Sequence, residues 1–129
     1  MKLQVREKVV ISTVDESRNV EVMALFDTGA KSTFIDEEVA KKLGYRRYPK
    51  PVKIPLAVKG EVGEVVGEST LLFTIAGCKI PFGYTARVVR NLAEEVIIGS
   101  SFMEEFDIEL DLKEGKARLL KSPPELRLI

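Results

Sequence analysis

Apolar positions along the chain mostly alternate with polar ones or fall in β-branched runs, and this pattern predicts strands. Residues 5–13 read as a β run centred on Val9, Val10 and Ile11. Asp15-Glu16-Ser17-Arg18-Asn19 supplies turn chemistry, and residues 20–26 return as the second arm of a hairpin. The period changes at Asp36, where a short helix is expected to Leu43. Asp36 suits the N-cap, Glu37 and Glu38 complement the helix dipole, Val39, Ala40 and Leu43 share a face, and Gly44 ends the helix. Residues 45–52 contain Pro49 and Pro51 and read as an extended connection.

A long hairpin is expected over residues 54–75, with arms at 54–58 and 64–75. Gly60-Glu61-Val62-Gly63 would form its tip, because glycine supplies the positive φ of tight turns. Ala76-Gly77-Cys78-Lys79 predicts a further turn, and residues 80–89 a strand interrupted at Pro81 and Gly83. After a loop at 91–94, Val96-Ile97-Ile98 forms a short apolar strand ending at Gly99. Ser101 and Glu104 have the spacing of a capping box, which predicts a second helix over 102–106. A last hairpin joins 108–112 to 117–120, with Asp107, Glu109 and Asp111 on its solvent face. The fold class expected is all-β, mainly strand with one or two short helices.

Composition narrows the function. A chain of 129 residues predicts one domain, residues 1–129. Twenty acidic and twenty basic residues cancel and are interspersed, so neither nucleic acid nor anionic lipid is expected as a partner. The longest charge-free apolar stretch, residues 69–78, is about half a membrane span, and residues 1–8 lack the apolar core of a secretion signal. Cys78 is the only cysteine, so no internal disulfide can form, which fits a reducing cytoplasm. With no histidine, Ser-His-Asp and Cys-His catalysis are excluded, as are zinc sites of the usual kind. Nothing near Cys78 would activate it as a nucleophile, so it reads as a small buried or half-buried turn residue. Carboxylates remain for acid–base work.

One carboxylate stands out. Asp27-Thr28-Gly29-Ala30 directly follows the apolar run Val22-Met23-Ala24-Leu25-Phe26, so a strand delivers Asp27 to a tight loop. Carboxylates held in this way cluster at active sites. Ile97-Ile98-Gly99-Ser100-Ser101 repeats the arrangement: apolar strand, glycine turn, short polar residues, helix. The two units and the glycine-bearing hairpin between them occur in the order and spacing of the retropepsins, which the chain resembles over roughly residues 5–120. Succession of Ile97-Ile98-Gly99, a short helix and Ile108-Glu109-Leu110-Asp111-Leu112 is most similar to cellular retroviral-like protease domains.

The resemblance implies an acid-protease barrel, one lobe per chain, closed by homodimerisation, that hydrolyses peptide bonds. Asp27 matches the catalytic aspartate, and Thr28 the residue whose hydroxyl braces the loop across the dimer axis. Gly29 and Ala30 match positions where the backbone approaches substrate. Ile97, Ile98 and Gly99 match the turn packed behind the catalytic loop. Val58, Lys59, Gly60, Glu61, Val62 and Gly63 fall in the flap, about residues 54–70, and residues 121–129 form a C-terminal tail. Lys31 and Ser100 stand where retroviral enzymes commonly carry an acid and an arginine that pair. The implied mechanism uses two aspartates sharing one proton, with neither metal nor cofactor. A catalytically idle dimeric peptide-binding or scaffold module of the same fold is the competing expectation.

Overall fold

The computed structural model describes residues 3–55 and 62–121. β1 (Gln4–Thr13) and β2 (Asn19–Asp27) form the expected antiparallel hairpin, in register from Gln4 opposite Asp27 to Ser12 opposite Asn19. Its turn is set by Asp15, whose carboxylate accepts from Ser17 N at 2.9 Å and from the Thr13 hydroxyl at 2.7 Å. These hydrogen bonds lower the Asp15 pKa to about 2. Val9, Ile11, Val22, Ala24 and Phe26 alternate into the core.

β3 (Phe34–Asp36) is too short for any period to announce it, and it leads straight into α1 (Glu37–Leu43). The helix is capped as its sequence suggests: Asp36 accepts from Glu38 N at 3.2 Å, and Gly44, at φ 90°, donates to Ala40 O at 2.7 Å. Val39, Ala40 and Leu43 are buried.

The next segment corrects the expectation of a mere connection. β4 (Arg46–Pro55) is a strand that, among the described residues, pairs only with β5 (Val62–Ile75). Register runs from Arg46 opposite Glu68 to Arg47 opposite Gly67, slips, and resumes from Val52 opposite Val65 to Pro55 opposite Val62. Pro49 and Pro51 lie in the slipped stretch, where an edge strand loses nothing by lacking donors. Val62 and Gly63 are therefore strand residues opposite Pro55 and Ile54 rather than a turn tip. Val58, Lys59, Gly60 and Glu61, also assigned there, lie outside the described residues, as does the tail beyond residue 121.

Ala76 and Gly77, both at positive φ, turn β5 back into the two-residue β6 (Cys78–Lys79), so half of the expected turn is strand. Cys78 is half-buried there. β7 (Tyr84–Arg90) begins only after Pro81 and Gly83 have broken the run from residue 80. β8 (Val96–Ile98), α2 (Ser100–Glu105), β9 (Ile108–Asp111) and β10 (Lys116–Leu119) follow, the last two forming a separate hairpin. On β9 only Glu109 is fully exposed; Asp107 and Asp111 are half-buried, and Leu112 lies beyond the strand, 53% exposed.

The main sheet runs β1-β2-β8-β3-β7-β5, and β1 also pairs with β5, so the six strands close on themselves and leave β4 at the edge. The enclosed core contains Phe26, Ile35, Phe73, Val88, Ile98 and Phe102. Phe102 holds the short α2 in place: its ring centroid lies 4.9 Å from those of Phe73 and Phe106 and 4.8 Å from that of Tyr84. Among the described residues, no helix is long and apolar enough to cross a membrane.

A polar network ties the edge hairpin to this core. Glu37, 8% exposed, accepts from the Tyr45 hydroxyl at 2.9 Å and from Arg90 Nε at 3.4 Å. Arg90 also reaches Glu64 on β5 at 3.8 Å. Burial alone would raise the Glu37 pKa, but the Tyr45 hydroxyl and Arg90 outweigh it and the net shift is downward from 4.5. A depressed carboxylate stabilises the fold above its unfolded value, and that contribution is lost as pH falls through the folded one. Thermal stability is therefore expected to drop below pH 4.5, and Glu37→Gln to flatten that acid limb while lowering stability at neutral pH. An unchanged acid limb in the variant, followed by thermal melts across pH 2–7, would remove Glu37 from the network's acid response.

Candidate active site

The parallel pairing of β2 with β8 builds the site. Leu25 lies opposite Ile97 and Phe26 opposite Ile98, while β3 runs along the other edge of β8 with Phe34 opposite Ile97. The chain leaving β2 at Asp27 must therefore cross the end of β8 before entering β3. Gly99, the first residue beyond β8, lies directly beneath that crossing. A Cβ on Gly99 would sit 2.2 Å from Ser32 O, 2.7 Å from Lys31 O and 2.8 Å from Ala30 O. The backbone passes this close only because there is no side chain.

Hydrogen bonds lock the crossing. Ser100 N donates to Ala30 O at 2.7 Å and Ser101 N to Lys31 O at 3.1 Å. Gly99 N donates to the Thr33 hydroxyl at 3.2 Å, and Arg87 N to Thr33 O at 3.0 Å. These contacts replace the capping box expected at Ser101 and Glu104. The helix starts at Ser100, Gly99 is its N-cap with no side-chain bond, and the loop carbonyls take the first-turn N–H groups instead.

Asp27 is 5% exposed. Its Oδ1 accepts from Gly29 N at 2.8 Å and its Oδ2 from Gln4 Nε2 at 3.2 Å, while Ala30 N donates to Asp27 O at 3.1 Å. Thr28 bonds within the chain: its hydroxyl accepts from Leu3 N at 2.8 Å and lies 3.4 Å from Leu3 O, which also accepts from Thr28 N at 3.0 Å. The N-terminal segment thus clamps the loop from one side and α2 from the other. Pre-organisation of this kind holds a reacting group at fixed geometry without reordering at the moment of reaction.

Asp27, Gly29 and Ala30 open onto a cleft of about 380 Å³ whose apolar walls include Phe34, Ile54, Val89 and Ile97. Asp27 is the one carboxylate among the described residues lining it. Ile98 is buried beneath the loop, whereas its neighbour Ile97 reaches the cleft wall, so the apolar triplet divides between core and site. Val62 and Gly63 do not line the cleft; Val62 is exposed on β5.

Sequence reasoning assigned no role to Gln4, Thr33 or Arg87. Thr33, 1% exposed, is a hydroxyl placed just ahead of an apolar strand, and that was its only signal. Gln4 and Arg87 reach the loop through strand pairing, which leaves no local trace.

A family model described as "gag-polyprotein putative aspartyl protease" matches residues 16–105. No curated protein matches the sequence. Among solved structures, the retroviral protease-like domain of Ddi1 from Leishmania major superposes with a TM-score of 0.65 at 20% identity, covering 94% of each chain. EIAV protease in complex with the inhibitor HBY-793 gives a TM-score of 0.59 at 18% identity, over 85% of this chain and 94% of that one. A retropepsin-like aspartic protease from Rickettsia conorii gives 0.53 at 18% identity, over 86% and 85%. The crossing over Gly99, the closed sheet and these matches converge on one conclusion: the chain belongs to the gag-polyprotein aspartyl protease family and has the retropepsin-like fold.

Proposed function

We propose that the chain is an aspartic endopeptidase whose active site is completed by a second copy of itself, residues 1–129 acting as one lobe. The observation that carries this reading is Asp27: a single carboxylate, braced at the end of β2 and opening onto a largely apolar cleft of about 380 Å³. Two such carboxylates brought together across a two-fold axis cannot both ionise comfortably and share one proton, as in the pepsin example of the same chemistry. The ionised member takes a proton from water as that water attacks the peptide carbonyl. The protonated member donates to the carbonyl oxygen and stabilises the charge that develops there. Thr28, Gly29 and Ala30 hold the loop and present backbone to the substrate, and Ile97, Ile98 and Gly99 support it from behind.

A groove of about 600 Å³ beside Thr28, with walls that include Leu3, Met103, Ile108 and Leu120, is where the second copy would pack. Its apolar residues offer surface for burial between subunits, alongside the acids Glu104, Asp107 and Glu109 in the same lining. The single cysteine fits action in a reducing compartment such as the cytoplasm.

Sedimentation at micromolar concentration is expected to give about twice the 14.4 kDa chain mass. Cleavage of an apolar peptide library should track the dimer fraction on dilution, follow a bell-shaped pH profile that belongs to the pair of aspartates, and ignore metal chelators. A monomer with undiminished activity, or chelator-sensitive activity restored by zinc, would overturn the reading.

The β4–β5 hairpin, with residues 58–63, is assigned the role of a flap over bound peptide. A hydroxyl-bearing peptide isostere should then slow hydrogen exchange across residues 58–65 as the flap closes over it. Exchange indifferent to the isostere would leave the clamp elsewhere.

A further inference from the structure

The cleft is apolar where a scissile pair would sit, but its rim is basic. Lys31 lines the cleft beside Asp27, is exposed, and forms no ion pair among the described residues. Ile54 lines both this cleft and an adjoining groove of about 420 Å³, whose lining includes Lys50 and Arg87 and, among the described residues, no acid. Arg87 is tied to the catalytic loop: its Nη1 donates to the Ser32 hydroxyl at 3.1 Å. The acid opposite Arg87 in the sheet, Glu68, is already engaged by the Tyr48 hydroxyl at 2.7 Å and by Arg46 at 3.4 Å. The edge strand that borders the groove, Arg46-Arg47-Tyr48-Pro49-Lys50-Pro51-Val52-Lys53-Ile54-Pro55, carries cations and no acid. In a chain with no net charge, this concentration of cations around one groove is local, with Arg46 and Arg47 paired to Glu68 and Glu37 and Arg87 in the field of Glu68.

We propose that the preferred substrate is a peptide with an acidic residue a few positions from an apolar scissile pair, held by Lys31 and Arg87. The proposal rests on the protease reading and names its substrate class. Charge complementarity at a rim selects partners and registers more than it adds raw affinity. A carboxylate held by Lys31 in the cleft or by Arg87 in the adjoining groove lies beside Ile54, which lines both, and gains more there than in a fully exposed pair. In a two-fold dimer each half presents the same cations, so an acid on either side of the scissile bond is accepted.

The test is a peptide series with a fixed apolar centre and Glu, Gln or Lys scanned through the flanking positions. At one or more positions kcat/KM is expected to fall about tenfold from Glu to Lys, mainly through KM, because a remote charge is held alike in ground and transition states. The difference should shrink in 0.5 M salt. Lys31→Glu should invert the Glu-to-Lys ratio, and Arg87→Gln should reduce it. Binding of the same peptides to Asp27→Asn, followed by fluorescence anisotropy, reads the charge preference without cleavage. Peptides all cleaved at equal rates would overturn the acidic preference and leave the protease standing. A preference in binding to Asp27→Asn, with no cleavage of any peptide by the parent protein, would keep the recognition and overturn the protease reading. Neither cleavage nor charge-dependent binding would overturn both.

Discussion

Asp27→Asn is expected to abolish peptide hydrolysis while leaving fold and dimer intact. In the proposed dimer both subunits would carry the substitution, so neither the base that takes the proton from water nor the acid that donates to the carbonyl oxygen would survive. General acid–base groups contribute about 10²–10⁴-fold each, and their joint loss puts the fall at roughly 10³-fold or more. The structure explains why the fold should tolerate the change. The Asn oxygen can still accept from Gly29 N, and the new amide faces Gln4, whose side chain can turn its own oxygen toward it. Removing a nearly buried carboxylate also removes a desolvation cost. Sedimentation and thermal melting should match the parent while cleavage disappears. An inactive parent with peptide binding unaffected by Asp27→Asn would instead mark an idle binding module, and a fully active variant would show that Asp27 is not the catalyst.

What could be read from the sequence divides along the line between local and non-local chemistry. The β1–β2 hairpin was legible because β-branched alternation and an Asp-Ser turn act within a few residues. The same holds for α1, whose cap, buried face and terminating glycine are all sequence neighbours. β4 was not legible, because its prolines and charges argue against a strand unless it is known to sit at an edge with slipped register. The capping box at Ser101 failed for a related reason. A tertiary partner, the carbonyls of the Asp27 loop, reached the helix N–H groups first and moved the start to Ser100. The Asp27 loop itself was visible as strand, carboxylate and glycine, yet the groups that hold it came through strand pairing. Gln4 faces Asp27 across β1–β2, and Arg87 faces Phe34 across β3–β7. The likeness between the two apolar-strand–glycine units acquires a physical meaning only in the fold, where β2 and β8 lie parallel and the second unit's glycine passes under the first unit's loop.

That passage makes Gly99 the position of the largest expected loss of stability. Gly99 does not occupy the left-handed region: its φ is −92°, which any residue adopts, so Gly99→Ala strains nothing through its own dihedrals. The cost is steric and falls on backbone. The added methyl would meet three carbonyl oxygens, at 2.2, 2.7 and 2.8 Å, all within the closest distance such contacts allow. Backbone atoms cannot rotate away as the end of a side chain can, so either the loop over residues 30–32 lifts or β8 and α2 drop. Lifting the loop stretches the bonds from Ser100 N and Ser101 N and the bond from Gly99 N to Thr33, whose hydroxyl is almost fully buried. A buried polar group left without its partner costs about 1–3 kcal/mol, and overpacking a tight site adds about 1–3 kcal/mol. A total of roughly 2–6 kcal/mol is a large fraction of the 5–15 kcal/mol that holds an ordinary domain. Denaturant unfolding of Gly99→Ala should show that loss. Activity should fall even at temperatures where the variant remains folded, because Asp27 hangs from the displaced loop. Gly77→Ala serves as the control: it lies in an open turn where a Cβ would meet nothing within 4 Å, and its φ of 75° predicts only a modest cost with activity preserved. If Gly99→Ala matched the parent in both stability and cleavage, the crossing would not be the support of the Asp27 loop.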